Sequence, residues 1–296
     1  MSNNTILTGL SLGLLAALCY GANVPYAKLA AEAGASGPTV VFYRAFLLVA
    51  LLGGLGLAQS GTLAVARPWR LPVLGLGIAT SFVGLCYISS VAFIPVGIAT
   101  ILYYTYPLLI LVASPLVDGE RLTLARLAIF ALAFVGLVIA LGADFGALDW
   151  RGLTLALTGA AAAALQFFCA ARATRGVSPA IAGFWTQLIL IPVALAACLA
   201  SGSLASPSVL VAATVPVGLH IGLFVLAFVV HLTAARLTPP AALGLVFCAE
   251  PVASILLATQ VLDEHLTPQQ VSGGTLVLIA VAASVLMESR RKVVSA

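Results

Sequence analysis

A chain of 296 residues with 62% hydrophobic and 7% charged residues, and a mean hydropathy of +1.18, has too little polar surface for a soluble globule. The composition is that of an integral membrane protein. The formal net charge of +4 does not point to nucleic acid, because the basic residues sit between apolar runs, where they act as topology signals and form no basic patch.

Ten apolar runs, each about 20 residues and so long enough to cross the hydrocarbon of a bilayer as a helix, can be marked in order. They are Ile6 to Leu29, Pro38 to Gln59, Leu71 to Phe93, Val96 to Val117, Leu122 to Leu141, Leu153 to Ala173, Pro179 to Ala200, Val209 to Leu232, Ala241 to Leu262 and Val271 to Met287. The first run lacks a basic leader and a convincing cleavage site and reads as a retained helix. Turn residues such as Gly34-Ala35-Ser36-Gly37-Pro38, Gly142-Ala143-Asp144, Gly202-Ser203 and Pro239-Pro240 separate the runs. Cys19, Cys86, Cys169, Cys198 and Cys248 all lie inside runs, with no paired spacing, and read as small packing residues and not as metal ligands or disulfides. Neither a metal nor a cofactor is expected.

Orientation follows from the lysines and arginines. With the N-terminus in the cytoplasm, the inner loops and tail hold Arg67, Arg70, Arg121, Arg126, Arg172, Arg175, Arg236, Arg290, Arg291 and Lys292, and the outer side keeps Lys28 and Arg151. Both termini are therefore expected inside, in a multi-pass membrane protein.

One stretch occurs twice. Tyr103-Tyr104-Thr105-Tyr106-Pro107, leading to Glu120-Arg121-Leu122-Thr123, is echoed by Phe247-Cys248-Ala249-Glu250-Pro251, leading to Glu264-His265-Leu266-Thr267. In both copies the proline precedes the glutamate by 13 residues, and Pro95 is matched by Pro239 at the same offset of 144. Gly9-Leu10-Ser11-Leu12 matches Gly152-Leu153-Thr154-Leu155 more weakly. An offset that spans five runs, an odd number, places the second half upside down relative to the first. The expected fold is an all-α membrane protein of ten transmembrane helices, arranged as two inverted five-helix repeats with domains at 1–146 and 147–296.

The five-plus-five pattern, the proline-bearing fourth helix of each half and the Glu-x-Leu-Thr signature opening the fifth resemble the EamA-type drug/metabolite transporter superfamily over the whole chain. Within it, the aromatic content is similar to bacterial amino-acid exporters of the YddG type. The resemblance implies a carrier of the inner membrane with a central cavity between its halves and alternating access to the two sides.

Ionisable groups inside a bilayer are costly, so Arg44 and Glu250 call for an explanation. Glu250, directly before Pro251, reads either as a cation or proton site lining the cavity or as a packing residue paired with Arg44 or hydrogen-bonded to hydroxyls. Arg44 reads either as a ligand for a substrate carboxylate or as a scaffold arginine snorkelling toward Glu32. His220 and His231 lie close to three turns apart on one face of the eighth helix and read as packing residues or as a proton relay. Tyr20, Tyr87, Tyr103, Tyr104, Tyr106, Phe167, Phe168 and Trp185, with Asn23, Gln166 and Gln187, sit at mid-helix and not only in the interfacial belts. A cavity of rings with a few amides suits an amphiphilic organic solute. The expected substrate-binding set is Asn23, Arg44, Tyr87, Tyr103, Gln166, Trp185, Gln187, His220 and Glu250, with Pro107 and Pro251 as hinges.

Lys28 and Lys292 lie in no phosphate-binding loop, so the chain is not expected to hydrolyse ATP, and no ATPase subunit is evident. No pair of membrane aspartates, no G-x-S-x-G and no H-E-x-x-H supports an enzyme. The expected partners are a small-molecule substrate and the lipid bilayer. Export of amino acids, including aromatic or large apolar ones, is the reading favoured; another metabolite or drug, such as a nucleoside, sugar or lipid-linked precursor, is the alternative on the same fold.

Overall fold

The computed structural model describes residues 3–142, 148–262 and 265–290. The expected domain boundary at 146/147, Asp144, Glu264, Arg291 and Lys292 lie outside them. Among the described residues the chain is helical and holds ten helical segments long and apolar enough to cross a membrane. In the first half these are α1 (Asn3–Glu32), α2 (Gly37–Ser60), α3 (Arg67–Ser90), a fourth span made of α4 (Val96–Tyr103) and α5 (Tyr106–Val117), and α6 (Leu124–Leu141). In the second they are α7 (Trp150–Ala173), α8 (Pro179–Ala200), α10 (Thr214–Leu237), a ninth span made of α11 (Pro240–Val246) and α12 (Ala249–Val261), and α13 (Pro268–Arg290). A short helix, α9 (Pro207–Ala212), precedes α10. An even number of crossings puts the start of α1 and the end of α13 on one face, called here the terminal face.

The helix ends are those the sequence specifies. Ser36, Thr123 and Ser178 cap α2, α6 and α8 by accepting from the backbone N–H groups of Thr39, Arg126 and Ile181. Gly61 and Gly142 close α2 and α6 in the left-handed conformation. Asp149 caps α7 and is also bonded by the Arg151 side chain, which holds its carboxyl below the ordinary range. The eighth crossing differs from expectation: it starts at Thr214 and not at Val209. Pro216 has no N–H for the Ala212 carbonyl and its ring crowds that group, so α9 stops at Ala212 and a new helix begins.

Packing follows the repeat. The most extensive pairings, α1 with α10 and α3 with α7, exchange with each other when the halves are exchanged. The next, α6 with α13 and α2 with α8, map onto themselves. All four join one half to the other, so the two halves share one core, centred on residues such as Leu48, Tyr106, Ile110, Phe228 and Leu245. The α6–α13 seam is a glycine contact: a Cβ on Gly136 would strike the Gly273 carbonyl, and one on Gly273 would strike the backbone of Gly136 and Ala140. Without a hydrophobic drive between helices in lipid, such close backbone approach supplies the contact.

Candidate functional site

Both proline-bearing spans are broken, and at matching places. The first half turns at Tyr104–Thr105 and the second at Phe247–Cys248. Thr105 N–H reaches back three residues to Leu102, and Cys248 and Glu250 do the same to Leu245 and Phe247, so the backbone tightens at each break. Pro107 and Pro251 lie in the first turn of the helix that follows. Neither has an N–H for the carbonyl four residues back, Tyr103 in one span and Phe247 in the other. The breaks are enclosed by protein, as irregular backbone at membrane depth requires: Tyr104, Phe247 and Cys248 are buried. The half-helices beside them touch, since a Cβ on Gly244 of α11 would meet Pro107 and Ile110 of α5.

A row of rings runs through the two breaks. Tyr87 lies 4.8 Å from Tyr103, Tyr103 lies 5.3 Å from Tyr106, and Tyr106 lies 5.3 Å from Phe167. Phe167 meets Phe247 at 5.2 Å and His231 at 4.9 Å. Tyr20 then meets Phe247 at 6.0 Å and Phe224 at 5.3 Å, and the Arg44 guanidinium carbon lies 3.2 Å from the Phe224 centroid. Residues from α1, α2, α3, α4, α5, α7, α10 and the α11–α12 break thus meet in one row. The repeat is visible within it, because Tyr87 against Tyr103 corresponds, at the offset of 144, to His231 against Phe247.

Glu250 stands at the second break. It is half-buried, with Tyr20, Tyr87, Tyr103, Tyr104 and Tyr106 in its electrostatic neighbourhood. All of these tyrosines belong to the first half, so the acid of the second half meets a cluster supplied by the other. Among the described residues Glu250 has no ion pair, and Arg44 pairs with neither Glu250 nor Glu32.

The expected amides divide. Asn23 and His220 satisfy each other across α1 and α10: the amide donates to the His220 carbonyl at 3.0 Å, and His220 Nδ1 lies 3.2 Å from the Asn23 carbonyl. Gln166, the counterpart of Asn23 at an offset of 143, donates to Thr80 of α3 at 3.1 Å. Gln187 is fully buried with both amide atoms unpartnered. Tyr87 shares its hydroxyl with Thr100 at 2.9 Å. Trp185 points elsewhere, donating to the Leu63 carbonyl between α2 and α3 at 2.8 Å and packing on Phe184. The set therefore splits into Tyr87, Tyr103 and Glu250 on the row, Arg44 at its end, and Asn23, Gln166, Gln187, His220 and Trp185 outside it. Among the described residues no three His, Cys, Asp or Glu side chains are placed to hold a metal.

Several residues that shape the site were not legible as such. Phe224 and Phe247 are two of 13 phenylalanines, and nothing in an apolar run marks which face turns inward. Gly21 matters because a Cβ there would strike the Glu250 carbonyl, so α1 rests directly on the start of α12. Pro25, one turn on, removes the donor for the Gly21 carbonyl at the same level. Arg126, taken as a topology signal, is buried and joins Glu120 to Glu288 of α13. Its spacing to Glu120 was readable; its reach across 162 residues to Glu288 was not.

A bundle of ten crossings, inverted in its two halves and broken in the paired spans that meet at its centre, defines a multi-pass membrane transporter. The sequence pattern of the EamA-like transporter family matches residues 7–142 and again 150–286, and the chain belongs to that family. A protein of known crystal structure, 24% identical in sequence, superposes with a TM-score of 0.76 over 95% of this chain and 98% of its own, a likeness of fold. No curated protein matches.

Proposed function

We propose that this transporter is a secondary carrier that exports amino acids, including aromatic and large apolar ones, across the bacterial inner membrane, with both termini in the cytoplasm. The observation that carries the reading is the row of rings through the two breaks, with Arg44 at its end and Glu250 beside the second break, neither in an ion pair among the described residues. Rings offer broad apolar contact to a side chain, while one acid and one base answer a zwitterion better than a sugar or nucleoside. The inverted repeat supplies two interchangeable ways of closing around that row, which supports alternating access. Pro107 and Pro251 serve as hinges, since each begins a half-helix that lacks its full ladder to the one before.

The test is uptake by proteoliposomes of purified protein, with a panel of radiolabelled amino acids, sugars and nucleosides, with and without a pH gradient. Saturable uptake of phenylalanine and leucine is expected. Movement of a sugar, nucleoside or lipid-linked precursor with no amino acid moved would leave the carrier fold and overturn the cargo.

A further inference from the structure

Two buried polar side chains on facing helices lack partners. Arg44 of α2 is 6% exposed, and its Nε has no hydrogen-bond partner. Among the described residues no carboxylate is within ion-pair distance of it. Gln187 of α8 is 0% exposed, and neither its Oε1 nor its Nε2 is bonded.

Register places the two close together. Gly183, one turn before Gln187, packs on Leu52 of α2 and on Phe228 and Leu232 of α10. Because α2 and α8 run antiparallel, one turn further brings Gln187 level with Leu48, the turn next to Arg44. On α10 the same step leads from Phe228 to Phe224, the ring on which Arg44 lies.

A guanidinium does not shed its proton, so its charge persists in this interior. A glutamine with nothing to bond is worse there than a leucine of similar size. Two such groups side by side are suited to a ligand that supplies acceptors, and the fork of a guanidinium matches the two oxygens of a carboxylate. Asn23 and His220, the nearest alternatives toward the outer end of α1, are satisfied by each other.

Building on the amino-acid reading above, we propose that Arg44 and Gln187 form a carboxylate subsite at one end of the aromatic row, separate from the acid at Glu250. Tyr20, 5.3 Å from Phe224 and 6.0 Å from Phe247, stands between that end and the second break. The solute's carboxylate goes to the Arg44 end, its apolar body lies along Phe224, Tyr20 and Phe247, and its cationic group turns toward Glu250. A solute with a carboxylate and no ammonium still fills the subsite; one with an ammonium and no carboxylate does not.

The experiment uses the full chain in detergent and three probes: L-phenylalanine, 3-phenylpropionate and phenethylamine. Thermal shift against probe concentration is measured for wild type, Arg44→Gln, Arg44→Lys and Gln187→Leu. Gln187→Leu breaks no hydrogen bond in the empty protein, so it is expected to melt at or above the wild-type temperature without ligand. Its apparent affinity for phenylalanine and phenylpropionate should fall by about tenfold, the loss expected for one hydrogen bond to a charged group. Arg44→Gln should lose more and Arg44→Lys should keep part, and all three variants should keep the response to phenethylamine. Variants that bind phenylalanine and phenylpropionate as wild type does, or that weaken all three probes equally, would overturn the subsite. A wild-type protein that answers phenylpropionate but not phenylalanine would support the subsite and sink the amino-acid reading. No wild-type response to either would sink both.

Discussion

At the scale of single residues, the chemistry lies in a few groups that lipid does not tolerate. Arg44 and Glu250 were legible because a charge inside an apolar run needs a reason, and the structure puts Arg44 at the end of one aromatic row and Glu250 beside its middle, at the second break. What was not legible was their pairing, since a helix position gives no distance. They form no ion pair, so their substitutions are expected to act independently on stability. In a double-mutant cycle of Arg44→Gln and Glu250→Gln, the melting effects should add within about 0.5 kcal/mol, and a larger coupling would show that the two charges meet. Glu250→Gln alone should express and fold normally while transport is lost. Wild-type rate and pH dependence in that variant would remove Glu250 from the site. For Trp185 the mid-helix position did not disclose the partner of its indole, which is the Leu63 carbonyl.

At the scale of elements, the repeat was legible and its consequences were partly so. Prolines at matched positions announced two weakened spans, and the breaks fall just before them, at Tyr104–Thr105 and Phe247–Cys248. Pro251→Ala would return an N–H to the Phe247 carbonyl and favour a continuous helix. Transport is expected to slow while the melting temperature holds or rises, as measured by uptake and by thermal denaturation of the same preparation. An unchanged rate would argue that the break is scaffold and not hinge. The α6–α13 seam was not legible, because Gly136 and Gly273 are two of 27 glycines and only the crossing shows what they face. Gly273→Leu is expected to cost more than the ~1–3 kcal/mol typical of overpacking, because backbone and not side chain stands in the way. Arg126→Leu should destabilise the protein, since it removes the buried cation that joins Glu120 to Glu288. Loss of folded protein in chemical denaturation measures both.

At the scale of the molecule, the count of crossings decided the architecture. Ten apolar runs and an offset covering five of them were enough to predict an inverted pair, and the strongest packings exchange as that symmetry demands. The interleaving of the halves was beyond the sequence, since hydropathy reports that a helix meets lipid and not which helix it meets. Single cysteines in a cysteine-free background should place Ser203 and Thr267 on one side of the membrane and Gly119 and Arg175 on the other. Labelling of Ser203 from the side that reaches Gly119 would contradict the crossing count. The central claim is that one interior site opens to each side in turn, and counterflow tests it most directly. Proteoliposomes preloaded with unlabelled phenylalanine should take up external labelled phenylalanine several times faster than empty ones, and transiently above the equilibrium level. Uptake indifferent to internal phenylalanine, and proportional to concentration without saturation, would mean an open pathway and contradict the account.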